Sequence, residues 1–166
     1  MLTIGDIESS ADAKDYYAKY AQEKGEAEGK FYDRSGELGI DGKTVGQEQM
    51  LNLLDGFAPD KSRALARNAG DGHRPGWDMT FSAPKSVSIV WANADQKLRT
   101  ELEAAHERAA KRGLDYLSEH ATITRTGHAG KRPETAAMVA AVFRHSSNRS
   151  EEPQLSPRTR ERQDPD

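Results

Sequence analysis

The stretch that decides the fold is His73-Arg74-Pro75-Gly76-Trp77-Asp78-Met79-Thr80-Phe81-Ser82-Ala83-Pro84-Lys85-Ser86-Val87-Ser88. Residues 77–82 alternate apolar and polar side chains, the period of a half-buried strand. Pro84 then stands where proline is best tolerated, in the first turn of a helix. Ser82 or Ala83 falls near the cap, and Val87 to Trp91 form the apolar body of that helix. Before the strand, Asn68 to Gly76 is rich in glycine and has a proline, so it reads as a loop.

Working outward, Gln96 to His120 reads as one long helix. Leu98, Leu102, Ala105, Ala109 and Leu117 recur at helical spacing, and they are the expected packing face. Thr122 to Thr126 is rich in strand formers, and Gly127 to Pro133 turns the chain. Ala136 to His145 is apolar and by period alone suits helix or strand; the layout adopted here has Ala137–His145 as a strand. Toward the N-terminus, Met1–Ile4 reads as a short strand. A helix capped by Asp6, or by Ser9 with Ser10, runs through Ala11 to Tyr20. Gln22 to Lys30 is polar, contains two glycines and reads as a loop. Leu38 to Gly42 is a turn-bounded apolar step, and Gln47 to Phe57 suits a short amphipathic helix. From Ser146 the chain is polar, holds Pro153, Pro157 and Pro165, and reads as loop or disorder. This order predicts an α+β domain, an antiparallel sheet with helices packed on its faces. The strands would be Met1–Ile4, Trp77–Phe81, Thr122–Thr126 and Ala137–His145.

Composition limits the function. The 166 residues suit one domain, and 31% of them are charged. The net charge of −3 offers no general attraction to nucleic acid, although a local basic patch suffices to hold phosphates. There is no cysteine, which excludes disulfides and thiolate metal sites. No window is long and apolar enough for a membrane span, and the start lacks a signal-peptide pattern. A soluble, cytoplasmic protein is expected.

Three groups carry candidate chemistry. Tyr16, Tyr17 and Tyr20, with Tyr32 further on, could attack phosphorus, although aromatic packing on one helix is the commoner role. Asp78, on a strand beside the proline-started helix, could orient a histidine ligand; Ser82, Lys85 and Ser86 could hold a phosphate at the helix N-terminus. The plain alternative is a strand-to-helix junction with its capping residues. His145 closes the last apolar run, and the chain contains no His-x-His or His-x3-His pair.

Residues 73–88 resemble the Asp-Met-Thr-Phe-Ser-Ala-Pro-Lys-Ser-Val-Ser block of TrwC/TraI-type (MobF) conjugative relaxases. Ala105-His106-Glu107-Arg108-Ala109, the N-terminal Tyr-Tyr, Gly36-Glu37-Leu38-Gly39-Ile40, and Glu134 to Leu155 with Phe143-Arg144-His145 are similar to further segments of that family. The resemblance covers about residues 1–155. It implies a palm like that of rolling-circle initiators and a domain that nicks single-stranded or hairpin plasmid DNA at a transfer origin. A tyrosine attacks the phosphate and stays on the 5′ end. Tyr16 or Tyr17 matches this nucleophile, with Tyr16 favoured. Asp78 matches the acid that orients a ligand histidine, and His145 the first of three metal ligands. The implied cofactor is a divalent ion, magnesium or manganese, and the implied partners are transfer-origin DNA and other relaxosome proteins.

The resemblance breaks at one place. In the family, Pro-Gln-Leu is followed at once by His-x-His on a central strand. Here Pro153-Gln154-Leu155 is followed by Ser156-Pro157-Arg158. The expectation is a partial relaxase domain over 1–155, truncated before that strand, and a divergent, disordered tail over 156–166. The sheet would lack its central strand, metal would bind poorly and cutting would be lost. The alternatives are a remnant that binds origin DNA without cutting it, or an inactive product.

Overall fold

The computed structural model describes residues 1–7, 27–66, 68–70, 75–126, 132–135, 138–147 and 153–161. The expected helix over residues 11–20, with Tyr16, Tyr17 and Tyr20, lies outside them.

A five-stranded antiparallel sheet forms the body. In chain order its strands are β1 (Leu2–Ile7), β2 (Ala27–Asp33), β3 (Gly76–Phe81), β6 (Val139–Ser147) and β7 (Pro153–Glu161). Across the sheet the order is β1-β3-β7-β6-β2. The helices are α1 (Gln47–Leu54), α2 (Lys85–Asn93) and α3 (Gln96–His120). Among the described residues, β4 (Ile123–Thr126) and β5 (Arg132–Thr135) pair with each other as a separate two-stranded sheet. The strand expected over Thr122–Thr126 is present as Ile123–Thr126, but outside the main sheet.

Both faces of the sheet are packed, which is why alternation in the sequence is weak. One apolar cluster joins Met50, Leu53 and Leu54 of α1 to Ile7, Phe31, Val139 and Ala141. The other joins Leu114 of α3 to Tyr32, Met79, Met138 and Ala140. Consecutive residues Phe31 and Tyr32 are buried on opposite sides, 3% and 4% exposed. The reading of Gln22 to Lys30 as a loop is corrected at its end: residues 27–30 begin β2, where Glu28 and Lys30 are exposed. Gly29 is where the Phe143 ring crosses the strand, and a Cβ there would overlap that ring. Phe31 N–H donates to Lys43 O at 2.8 Å and Gly42 N–H returns to Phe31 O at 2.8 Å. This ties the turn after β2 to the strand, and Gly36, Gly39 and Gly42 supply its left-handed residues.

The long helix has the expected bounds and a different inner face. Asp95 caps it by accepting Leu98 N–H at 2.8 Å. Ala110, Leu114 and Ser118 are its buried residues, Leu98 is 41% exposed, and Ala109 is exposed too. The inward stripe runs from Glu103 and His106 through Ala110 and Leu114 to Leu117. Gly113 allows α3 to approach the sheet: a Cβ there would meet Phe81 Cε1 at 2.6 Å.

The largest departure is β7. A gap was expected where the central strand belongs, and Pro153–Glu161 occupies it, paired with β3 on one side and β6 on the other. Two strand edges facing each other offer unpaired backbone donors and acceptors to any chain that is long enough, whatever its side chains. Pro157 is tolerated because the β3 ladder begins only at Arg158, so no N–H is required of it on that side. Residues 162–166 lie outside the described residues.

Candidate functional site

The register defines the site. Asp78 on β3 is opposite Arg160 on β7, which is opposite Ala141 on β6. The next row on the same face is Thr3, Thr80, Arg158 and Phe143. Beyond it, Ser156 is opposite His145. Asp78 and His145 therefore share a face, as expected, but they are not on neighbouring strands: β7 runs between them. They are also offset by four residues along the strand direction, about 13 Å of strand rise. Burial decreases in this direction. Ile7 and Val139, in the core beneath α1, are buried, whereas Asp78, Thr80 and Phe143 are half-buried and Thr3 is exposed.

The other face holds a polar network that sequence reasoning missed. Glu103 on α3 accepts Trp91 Nε1–H at 3.0 Å and Arg144 Nη1–H at 2.8 Å. Arg144 immediately precedes His145, so this ion pair fixes the end of β6 that carries it. Arg99 lies over the Trp91 ring, 5.4 Å from its centre, and donates to Ala92 O at 3.2 Å. Glu103 and Arg144 are polar residues on otherwise apolar stripes. Helical spacing of Glu103, His106 and Ala110 was the available signal.

His106 Nε2 sits 3.1 Å from Phe81 O, the last residue of β3. A carbonyl only accepts, so Nε2 carries the hydrogen. Burial pushes the His106 imidazolium below its ordinary range, and the N-terminal ammonium adds to this. A histidine whose folded pKa is depressed contributes stability that is fully present above its unfolded value. That stability is lost as pH falls from about 6.5 toward the folded value. Wild type should thus lose more stability than His106→Gln on acidification through that window, as read by urea midpoints at each pH. Equal losses would remove His106 from the account. Beside it, Met1 donates its ammonium to Ser82 O at 2.7 Å and accepts Ser82 N–H at 2.8 Å, closing β1 onto the end of β3.

The expected phosphate residues separate. Lys85 and Ser86 are exposed in the first turn of α2, whereas Ser82 is buried and precedes the helix. Pro84, not Ser82 or Ala83, is the N-cap, and no side chain caps it. Tyr32 is not a nucleophile. It is buried in the core, and its hydroxyl donates to Asp115 at 2.8 Å. Burial first, and then the Asp115 carboxylate, push its pKa up to about 12. Arg34 completes this lock between β2 and α3 by pairing with Asp115 and Glu119.

The three-imidazole set that the resemblance implies does not fit this chain. By that resemblance its positions fall at 145, 156 and 158, which are His, Ser and Arg. A serine hydroxyl is a weak ligand, and an arginine guanidinium has no lone pair to offer and repels a cation. Among the described residues no group of three histidine, aspartate or glutamate side chains is placed to hold a metal ion.

An antiparallel palm backed by a long helix, with an acid, a histidine and a proline-started helix at one end, is the architecture of a relaxase. The chain belongs to the TrwC relaxase family, whose model matches residues 6–156. It is 33% identical over 162 residues to the multifunctional conjugation protein TraI of Escherichia coli (strain K12); the match covers 93% of this chain and 9% of that protein. A second TraI from Escherichia coli is 35% identical over 123 residues, covering 72% of this chain and 7% of that protein. The conjugative relaxase TrwC, solved with oriT DNA in a metal-bound form, superposes with a TM-score of 0.77 at 28% identity. A metal-free complex of TrwC with oriT DNA gives 0.74 at 30% identity. Each covers 98% of this chain, which spans 56% of those structures. Among the described residues, no helix is long and apolar enough to cross a membrane.

Proposed function

We propose that this chain is the sheet-bearing part of a conjugative relaxase domain and that it engages single-stranded or hairpin transfer-origin DNA in the cytoplasm. The register that gathers positions 78, 145, 156 and 158 on one face of the central strands carries this reading. Relatives solved with oriT DNA support it. Tyr16 or Tyr17 is the nucleophile in this proposal. Its hydroxyl oxygen would attack the scissile phosphorus, the 3′ oxygen would leave, and the tyrosine would keep the 5′ phosphate. Lys85 and Ser86, in the first turn of α2, are proposed to contact backbone phosphates, with the buried Ser82 shaping the turn before them.

One observation favours a narrower activity for the chain alone, which is holding DNA without cutting it. A tyrosine with an ordinary pKa near about 10 is a weak nucleophile at neutral pH. In the intact site, a divalent ion would polarise the phosphate. By the resemblance, Ser156 and Arg158 occupy the positions of two of its ligands. Asp78, two strands away and offset from His145, is proposed to line the same face and not to contact that histidine directly. Residues 156–166 are proposed to diverge from the family in sequence, although 156–161 belong to β7 and so to the domain's sheet. Titrating a labelled transfer-origin oligonucleotide into the 166-residue chain tests the reading. Saturable binding that weakens as salt rises is expected. No binding at low salt would refute it.

A further inference from the structure

The short helix α2 is directed by polar contacts more than by a core. Of its residues only Ser88 is buried, while Ile89 and Val90 are 54% and 50% exposed. Apolar burial therefore contributes little to its direction. Three contacts in its last turn join it to α3. Trp91 Nε1–H donates to one oxygen of Glu103. The Arg99 guanidinium lies over the Trp91 ring, and it also donates to Ala92 O. The other oxygen of Glu103 accepts from Arg144 on β6. One carboxylate, 20% exposed, thus ties α2, α3 and β6 together. Lys85 stands six residues before Trp91, about 9 Å along the helix, so a tilt at this joint displaces the first turn.

We infer that Glu103 is a positioning residue for DNA binding. By holding Trp91 and Arg144 at once, it sets the direction in which Lys85 and Ser86 meet the phosphates of a single strand. This rests on the reading that the chain engages DNA, and it deepens that reading by naming what aims one of the contacting elements. Glu103 itself touches no DNA. A carboxylate suits the task because both of its oxygens accept. A glutamine has one acceptor and one donor. Its oxygen would go to the charged Arg144, leaving an NH2 group against the Trp91 N–H. Arg144 has a second acid within reach, Glu107 at 3.6 Å, so the β6 arm withstands the change better than the α2 arm. The sign of the effect is diagnostic. Removing an acid from a DNA-binding protein ordinarily tightens binding, because a repulsion of phosphates is lost. Removing this one should weaken it.

The test measures the anisotropy of a labelled single-stranded oligonucleotide and the hydrogen exchange of the α2 amides in the same variants of the full chain. Glu103→Gln should weaken binding about fivefold and lower the salt slope by about one, the share of one lysine. Trp91→Phe, which changes no charge and keeps a ring under Arg99, should do the same. Lys85→Gln should also match it. Glu103→Gln combined with Lys85→Gln should bind within about twofold of Lys85→Gln alone, because both act on one contact. Glu101→Gln, at an exposed acid of the same helix, should not weaken binding. The amides from Ser88 to Asn93 should exchange faster in Glu103→Gln and Trp91→Phe than in wild type. If they do, but no oligonucleotide binds wild type, the joint stands and the DNA reading falls, taking the role of Glu103 in binding with it. If wild type binds and both variants bind as tightly, the DNA reading stands and the role of Glu103 is overturned. Losses from Glu103→Gln and Lys85→Gln that add in full also overturn it. Melting temperatures show which variants are folded, and a misfolded Glu103→Gln leaves the decision to Trp91→Phe.

Discussion

The double variant Ser156→His/Arg158→His is expected to acquire a divalent-metal site that the wild-type chain lacks. Ser156 lies directly opposite His145, and position 158 is the diagonal neighbour on the same face. Such positions put Cβ atoms about 5 Å and about 7–8 Å apart, within reach of one ion held at about 2.1 Å from each imidazole nitrogen. The substitution also removes a guanidinium charge that repels the ion. A ligand that binds the folded state alone stabilises it by about 2.7 kcal/mol at a hundredfold excess over its dissociation constant. For a chain of this length that corresponds to a rise of roughly 5–10 °C in melting temperature. The shift should be reversed by EDTA, absent in wild type, and lost again on His145→Ala. A double variant with no metal response would mean that 145, 156 and 158 do not converge.

The second large effect concerns the core under the long helix. Leu114 is 1% exposed and packs with Tyr32, Met79, Met138 and Ala140. Leu114→Ala removes three carbons from a site walled by a sheet and cannot be refilled cheaply, so it should cost about 2–5 kcal/mol. The melting temperature should fall on the order of 10 °C. Leu98→Ala, at an exposed position of the same helix, should fall within about 1 kcal/mol of wild type. Similar losses from both would mean that α3 is rotated relative to the description above.

These two experiments probe places where sequence and structure parted. The bounds of α3 were legible because Asp95 is a good cap and the apolar period is long. Its inner face was not, because Glu103 and His106 occupy that stripe for reasons outside the helix. One holds Arg144 and Trp91, and the other reaches the carbonyl of Phe81. β3 was legible from the alternation of Trp77 to Phe81. β2 was hidden because it starts with the polar, glycine-containing run Glu28-Gly29-Lys30 and then buries Phe31 and Tyr32 on opposite faces, so no alternation marks it. β7 was hidden most completely. Its sequence, Pro-Gln-Leu-Ser-Pro-Arg-Thr-Arg-Glu, has little strand propensity, and its place is set by the two strands it joins.

The candidate site was readable in its parts and not in its arrangement. Asp78 and His145 were chosen by type and by resemblance, and they do share a face. That a third strand runs between them, carrying Arg158 and Arg160, required the register. Tyr32 could not be separated from the other tyrosines until its burial and its bond to Asp115 were known. Ser82, three residues before the exposed pair Lys85 and Ser86, is buried where the chain closes β1 onto it through Met1.

The chain keeps the relaxase palm, but serine and arginine stand at 156 and 158, where the resemblance implies two of three metal-binding imidazoles. The most direct measurement is a search for a covalent adduct. The purified chain is incubated with a transfer-origin oligonucleotide and manganese or magnesium, then separated on a denaturing gel. The account predicts no adduct and no nicked strand, with the oligonucleotide still bound under native conditions. A metal-dependent adduct that disappears in Tyr16→Phe or Tyr17→Phe would contradict it, because ligands other than residues 156 and 158 would then be completing the site.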